Sequence, residues 1–247
     1  MRKLCSLVAS AIVFALLLGG TSCNPNSQNN SSVKENVVSE QLQDLASDDP
    51  LTLLKKGNQR FILNTPLNAH KDTERLQELI QGQSPRAVII SCSDSRVPPE
   101  IVFDQGLGDL FVVRTAGNVM GDYELGSVEY AADHLHTKLI VVLGHSSCGA
   151  VNATLDHYSG GEHAHPVPGH IASIVKTIGE GNEVKEAMAN KEAEALDLRA
   201  VEANVISGVK QLRNCAPILN ELYQSGAIQI VGAVYHIESG EVRYLDI

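Results

Sequence analysis

Two short clusters of cysteine and histidine each follow a run of apolar, mostly β-branched residues. Cys92 closely follows residues 87–90, and His145 and Cys148 closely follow residues 139–143. Such runs predict buried parallel strands, and ligands of open α/β sheets bind at the carboxyl ends of the strands. Thiolate and imidazole are ligands that zinc prefers. The sequence therefore predicts one zinc site of two cysteines and a histidine, with a fourth position open.

A carboxylate and a guanidinium lie beside the first cysteine. Asp94 can fill the fourth position itself, or it can leave that position to water and accept a hydrogen bond from it. Arg96 can fork onto Asp94 and hold it off the metal. Zinc lowers the pKa of a bound water from about 15.7 to roughly 7, which generates hydroxide at neutral pH. Two alternatives stay open: an Asp94–Arg96 pair that only shapes a loop, and a disulfide between Cys92 and Cys148.

Hydrophobic periodicity predicts an α/β fold that delivers both clusters to one edge of a sheet. Four strands in a β-α-β-α-β-α-β order argue for a mostly parallel sheet flanked by helices, with a fifth, antiparallel edge strand. The predicted strands cover residues 87–90, 110–114, 139–143, 228–236 and 242–245. The predicted helices cover residues 51–61, 72–81, 98–103, 125–135, 150–157, 171–178 and 192–212.

Composition limits the classes of protein this chain can belong to. Its 247 residues are 43% apolar, enough for one substantial core. The net charge is −10 and no run of lysine and arginine appears, so a nucleic-acid partner is not expected. Three histidines, His163, His165 and His170, lie in a loop rich in glycine and proline, where a solvated role is expected.

The N-terminus is typical of an exported protein. Two basic residues precede an apolar run too short to span a bilayer comfortably, and small residues follow. We interpret residues 1–22 as a signal peptide of lipoprotein type with Cys23 as the lipidated residue, 23–47 as a flexible tether and 48–247 as the domain. This predicts a periplasmic protein, anchored to a membrane if Cys23 is lipidated. Only three further cysteines remain, a poor disulfide framework, and Cys215 is interpreted as a small core residue of a helix.

The two clusters, taken with other segments, resemble the β-class carbonic anhydrases. The resemblance covers about residue 51 to the C-terminus. It is carried by Cys92-Ser93-Asp94-Ser95-Arg96, His145-Ser146-Ser147-Cys148-Gly149, Gly57-Asn58-Gln59-Arg60-Phe61, Phe111-Val112-Val113-Arg114-Thr115-Ala116-Gly117-Asn118 and Glu129-Tyr130-Ala131.

This resemblance implies reversible hydration of carbon dioxide to bicarbonate and a proton. It implies one zinc per chain on Cys92, His145 and Cys148, with Asp94 as a further ligand in members that close the site, and an Asp94–Arg96 dyad in those that do not. It also implies a homodimer or homotetramer with active sites at the subunit interface, and substrate contacts by Gln83, Phe111, Ala116 and Tyr130. The chain has no tryptophan, which favours the open, non-allosteric kind.

Two other functions fit the same residues. A sister hydrolase acting on carbon disulfide or carbonyl sulfide shares these motifs and differs in access to the pocket. A non-catalytic domain that stores metal or contains a disulfide would use the cysteines without turnover.

Overall fold

A computed structural model describes residues 49–159, 166–190 and 195–247. It confirms the predicted α/β fold, a five-stranded sheet in the order β2-β1-β3-β4-β5. The strands are β1 (Ala87–Cys92), β2 (Leu110–Thr115), β3 (Leu139–His145), β4 (Gln229–His236) and β5 (Glu241–Tyr244). All neighbouring pairs are parallel except β4 and β5, which form an antiparallel hairpin.

Nine α-helices lie in the described ranges of the chain, two more than the sequence predicts there. They are α1 (Pro50–Ile62), α2 (Thr73–Leu79), α3 (Pro99–Val102), α4 (Asp122–Asp133), α5 (Gly149–Ser159), α6 (Ile171–Glu180), α7 (Asn182–Ala189), α8 (Leu196–Arg213) and α9 (Ile218–Gln224). A short 3-10 helix, Ala116–Asn118, follows β2. Helices α7 and α9 were not predicted. Among the described helices, none is both long and apolar enough to cross a membrane.

The central strands β1 and β3 are buried along their whole length, so successive side chains enter two different cores. On one face, Val88, Ile90, Ile140 and Val142 pack in a cluster that includes residues of α8. On the other face, residues such as Ile89 and Val141 pack with residues of α1 and α3. The sheet is packed between these two cores, so the backbone at the carboxyl ends of β1 and β3 is held rigidly.

Asn58 ties α1 to the β4–β5 hairpin. Its buried amide donates to the carbonyl of Gly240 at 2.8 Å and accepts from the N–H of Val242 at 2.9 Å. Next to it, Arg60 donates to Asp104 at 2.6 Å in a buried ion pair. These bonds give the segment 57–61 a structural role, since they join α1 to the loop after α3 and to the last two strands.

Gly57 lets α1 approach the α3 segment closely, and we expect Gly57→Ala to lower the free energy of unfolding by about 1–3 kcal/mol. A methyl group at this position would collide with the backbone carbonyl of Phe103, which cannot move independently. Urea unfolding measures the change. The matched control is Gly126→Ala in α4, where a methyl group meets open space and we expect about 0.5–1 kcal/mol of stabilisation. Equal stability of the two variants would contradict the close approach.

Candidate metal centre

The structure brings Cys92, His145 and Cys148 together at the carboxyl edge of the sheet. Cys92 ends β1, His145 ends β3 and Cys148 lies in the turn before α5; β1 and β3 are direct parallel neighbours. Their ligand atoms all lie within 4.8 Å of one another, and all three residues are buried. Cys92 and Cys148 are free thiols in the structure, which disfavours the disulfide alternative.

The imidazole of His145 shows that this cluster fits a metal ion. Its Nδ1 lies 2.9 Å from the carbonyl of Ser146, to which it can only donate, so in the neutral ring the lone pair is on Nε2. The Nε2 atom is buried and has no hydrogen-bond partner among the described residues. A buried acceptor without a partner costs free energy of folding. An imidazole nitrogen beside two cysteine sulfurs matches the ligands that zinc prefers.

The two thiols interact as one unit. A hydrogen bond from Cys148 is the main reason that the pKa of Cys92 lies below its ordinary value, and it outweighs burial. The same bond, followed by burial, raises the pKa of Cys148. The two sulfurs therefore ionise as a coupled pair, and a divalent cation beside them would favour the thiolate form of both.

Gly117 supplies a further hydrogen bond to the cluster. Its N–H donates to the Cys92 sulfur at 3.3 Å, and its carbonyl accepts from the buried amide of Asn204 at 2.9 Å. Gly117 has a φ of +68°, and a side chain there would press on Ile178 and Ala150. Ala116, expected to line the pocket, is the adjacent residue and directly follows the carboxyl end of β2, next to Thr115, which pairs with Cys92.

Asp94 lies beside the three-ligand cluster and is held by Arg96. The guanidinium donates through Nε to Oδ1 at 2.9 Å and through one Nη to Oδ2 at 2.7 Å. This bidentate pair is the main reason that the pKa of Asp94 is lowered to about 2. Its Oδ2 lies 3.8 Å from Nε2 of His145. The carboxylate is therefore engaged by Arg96, as expected for the open kind of site.

Arg114 is a site residue that the sequence reasoning missed. Its guanidinium donates to the carbonyl of Cys92 at 3.0 Å and to that of Asp94 at 2.6 Å, which fixes the loop carrying both residues. The sequence signal for this residue is a charged side chain within the apolar run of β2, where it pairs with Ser91 of β1. The sequence reasoning also missed Ser146 and Glu238, whose side chains are hydrogen-bonded at 3.0 Å.

Gln83, Phe111 and Tyr130 do not lie with the cluster in a single chain. Gln83 precedes β1, whereas Cys92 ends it. Phe111 pairs with Val88, four residues and roughly 13 Å of strand before Cys92. The rings of Phe111 and Tyr130 lie 6.3 Å apart, and Tyr130 is 46% exposed. Within one chain these three residues lie toward the amino ends of β1 and β2, away from the metal cluster. That they contact substrate at a subunit interface stays a prediction.

Cys215 does not belong to the cluster of three possible metal ligands. Cys215 is half-buried just after α8, not within a helix as predicted, and its sulfur lies 3.6 Å from Glu129 Oε1. His170 is exposed, while Cys23, His163 and His165 lie outside the described residues.

Comparison with known proteins gives one consistent result. A family model described as carbonic anhydrase matches residues 87–242. The carbonic anhydrase of Mycolicibacterium smegmatis is 43% identical over 192 residues, 77% of this chain and 89% of that protein. Carbonic anhydrase 2 of Mycobacterium tuberculosis is 39% identical over 194 residues, 78% of this chain and 90% of that protein.

Solved structures agree with the sequence relatives. The β-carbonic anhydrase CcaA superposes with a TM-score of 0.61 at 31% identity, over 70% of this chain and 85% of that chain. A tetrameric β-carbonic anhydrase from Sordaria macrospora gives 0.62 at 27% identity, over 72% and 89%.

Proposed function

The chain belongs to the β-class carbonic anhydrase family, and on that premise we propose that it catalyses the reversible hydration of carbon dioxide to bicarbonate and a proton. One zinc ion per chain would be held by Cys92, His145 and Cys148. The observation that carries this proposal is the unpaired, buried Nε2 of His145 facing two thiols beside an arginine-held carboxylate.

The three metal ligands, the Asp94–Arg96 pair and Arg114 have different roles in the proposed reaction. A zinc ion held by two thiolates and an imidazole would act as a Lewis acid and lower the pKa of water, which would provide a nucleophile near neutral pH. Asp94, ionised and held by Arg96, accepts a hydrogen bond from the attacking water and orients it toward carbon dioxide. Arg114 fixes the backbone that carries Cys92 and Asp94.

Zinc analysis together with stopped-flow assay of the purified domain tests this function. We expect one zinc per chain and rapid hydration of carbon dioxide. Zinc-loaded protein that hydrolyses carbon disulfide or carbonyl sulfide but leaves carbon dioxide unchanged would overturn the proposal in favour of the sister hydrolase. Inactivity toward all three substrates would indicate a non-catalytic domain.

We also propose that the chain assembles as a homodimer or homotetramer in which Gln83, Phe111 and Tyr130 complete the site of a second copy. The support is their distance from their own cluster, the partial exposure of every residue of the edge strand β2, and the tetrameric form of the Sordaria macrospora relative. Sedimentation or light scattering of the purified domain measures the assembly; a monomer would contradict it.

Subunit mixing tests this sharing directly. A Cys148→Ser chain keeps Gln83, and a Gln83→Ala chain keeps the metal cluster, so one of the two sites of a mixed dimer is intact. Random mixing of the two poorly active variants is expected to recover up to about a quarter of wild-type activity. Mixing Cys148→Ser with Cys92→Ser is the control, because no intact site forms. No recovery in the first mixture would contradict the shared site.

Export is proposed on sequence grounds. Residues 1–22 would be removed and Cys23 lipidated, so that a tether of residues 23–47 links the domain to the periplasmic face of a membrane. The basic residues, the apolar run and the small residues before Cys23 support this. The intact mass of the secreted protein tests it: a chain beginning at Cys23 and carrying a diacylglycerol is expected, and a full-length cytosolic chain would contradict it.

A further inference from the structure

Ser146, the residue after the ligand His145, makes four hydrogen bonds through its N–H, its carbonyl and its hydroxyl. Its N–H donates to the carbonyl of Tyr235 at 2.9 Å, and its own carbonyl accepts from His145 Nδ1 at 2.9 Å. Its hydroxyl accepts from the N–H of Ile237 at 3.0 Å and donates to Glu238 Oε2 at 3.0 Å. Three of these four bonds reach the β4–β5 hairpin, so the hairpin fixes the Ser146 peptide.

The Ser146 peptide in turn sets the direction of the His145 ring. The ring is hydrogen-bonded through Nδ1 to the Ser146 carbonyl, and the opposite nitrogen, Nε2, lies with the two thiols. In metal sites, the partner of the non-ligating nitrogen fixes the orientation of the imidazole. A displacement of the Ser146 peptide would therefore move Nε2 relative to the sulfurs of Cys92 and Cys148.

Glu238 completes the bonding of the Ser146 hydroxyl. The lone pair that faces Ile237 is occupied by its N–H, so the single hydroxyl proton needs another acceptor, and Glu238 supplies a charged one. Hydrogen bonds from its own N–H and then from Ser146 hold the pKa of Glu238 below its usual value, and the charges of His236 and Arg96 act in the same direction. An exposed carboxylate is thus held at the rim of the metal cluster.

We propose that Glu238 is a positioning residue for the metal centre: with Ser146 it clamps the β4–β5 hairpin to the end of β3 and keeps Nε2 of His145 aligned with the two sulfurs. The effect of the clamp is to slow the loss of the bound metal ion. This inference rests on the zinc site of the proposed function and does not depend on which substrate is hydrated.

The rate of zinc release to an excess of a chromogenic chelator tests the clamp. We expect Glu238→Ala to release zinc about threefold faster than the wild type, below the roughly tenfold or greater effect of a direct partner of a ligating histidine, because Glu238 acts through Ser146. Glu238→Gln keeps an oxygen that accepts from Ser146 and should restore nearly the wild-type rate. The control is Glu241→Ala, an exposed carboxylate of the same hairpin whose side chain pairs with Arg243 at 3.6 Å; it should release zinc at the wild-type rate.

A double variant tests whether Ser146 and Glu238 act together on zinc release or act independently. Because Glu238 acts through Ser146, Ser146→Ala and the double variant Ser146→Ala/Glu238→Ala should release zinc equally fast. Equal rates for Glu238→Ala and Glu241→Ala, or fully additive effects in the double variant, would overturn the inference. If Ser146→Ala fails to fold, the zinc-release rates of Glu238→Ala and Glu238→Gln still test the inference, because position 238 is exposed. Wild-type protein that retains zinc without hydrating carbon dioxide would overturn the proposed function alone.

Discussion

Replacing Cys148 with serine is expected to strip zinc from the protein and to lower kcat/KM for carbon dioxide hydration by more than about a hundredfold, since the loss of a ligand should exceed the cost of losing an outer partner. A serine hydroxyl does not ionise at neutral pH and is a poor ligand for zinc in a cluster built from sulfur and nitrogen. The remaining pair, Cys92 and His145, leaves two positions to solvent. Metal content and kcat/KM are measured on the same preparation.

Cys215→Ser is the matched control for this variant. Cys215 is the third free thiol of the described residues, but it contacts Glu129 and lies outside the metal cluster. It should keep one zinc per chain and full activity. Zinc retained by Cys148→Ser, or lost equally by both variants, would contradict the assignment of Cys148 as a ligand.

Replacing Asp94 with asparagine is expected to leave the zinc content unchanged and to lower kcat by about a hundredfold. The asparagine amide presents one acceptor oxygen and one donor group, so it cannot accept both guanidinium bonds of Arg96 and also orient water. Stopped-flow kinetics on protein of known metal content measures the change. Asp246→Asn, an exposed carboxylate near the C-terminus, is the control and should behave as the wild type. Unchanged turnover in Asp94→Asn would remove Asp94 from the mechanism.

The sequence was sufficient to predict the elements that build the metal cluster. Apolar β-branched runs predict β1 and β3, the two strands that position the cluster. Parallel strands place their carboxyl ends at one edge of a sheet, so Cys92, His145 and Cys148 had to come close together. The Arg96–Asp94 pair could also be predicted, because only Ser95 lies between these two residues and their charges are opposite.

Short helices were harder to predict. Helix α7 has eight residues and buries only Val184 and Met188, a single pair at i and i+4, which gives little periodicity. Helix α9 has seven residues and buries Leu219 alone. Such helices are stabilised by packing against neighbours such as α8 rather than by their own sequence.

Contacts between distant segments could not be predicted from the sequence. The bonds from Ser146 to Ile237 and Glu238 depend on the register of β3 and β4, which sets His145 opposite Tyr235 across about ninety residues of chain. Similarly, family resemblance places Gln83 in a pocket without saying which copy of the chain supplies the pocket. The predicted strand over residues 87–90 already separates Gln83 from Cys92, and β1 confirms that separation, but neither identifies the chain whose cluster Gln83 approaches.

X-ray absorption at the zinc edge of the purified domain tests the central claim most directly. The account predicts one zinc per chain, with two sulfur neighbours at about 2.3 Å and a nitrogen at about 2.0–2.1 Å. A spectrum with no sulfur neighbours, or a domain that holds no zinc and carries a Cys92–Cys148 disulfide, would contradict it.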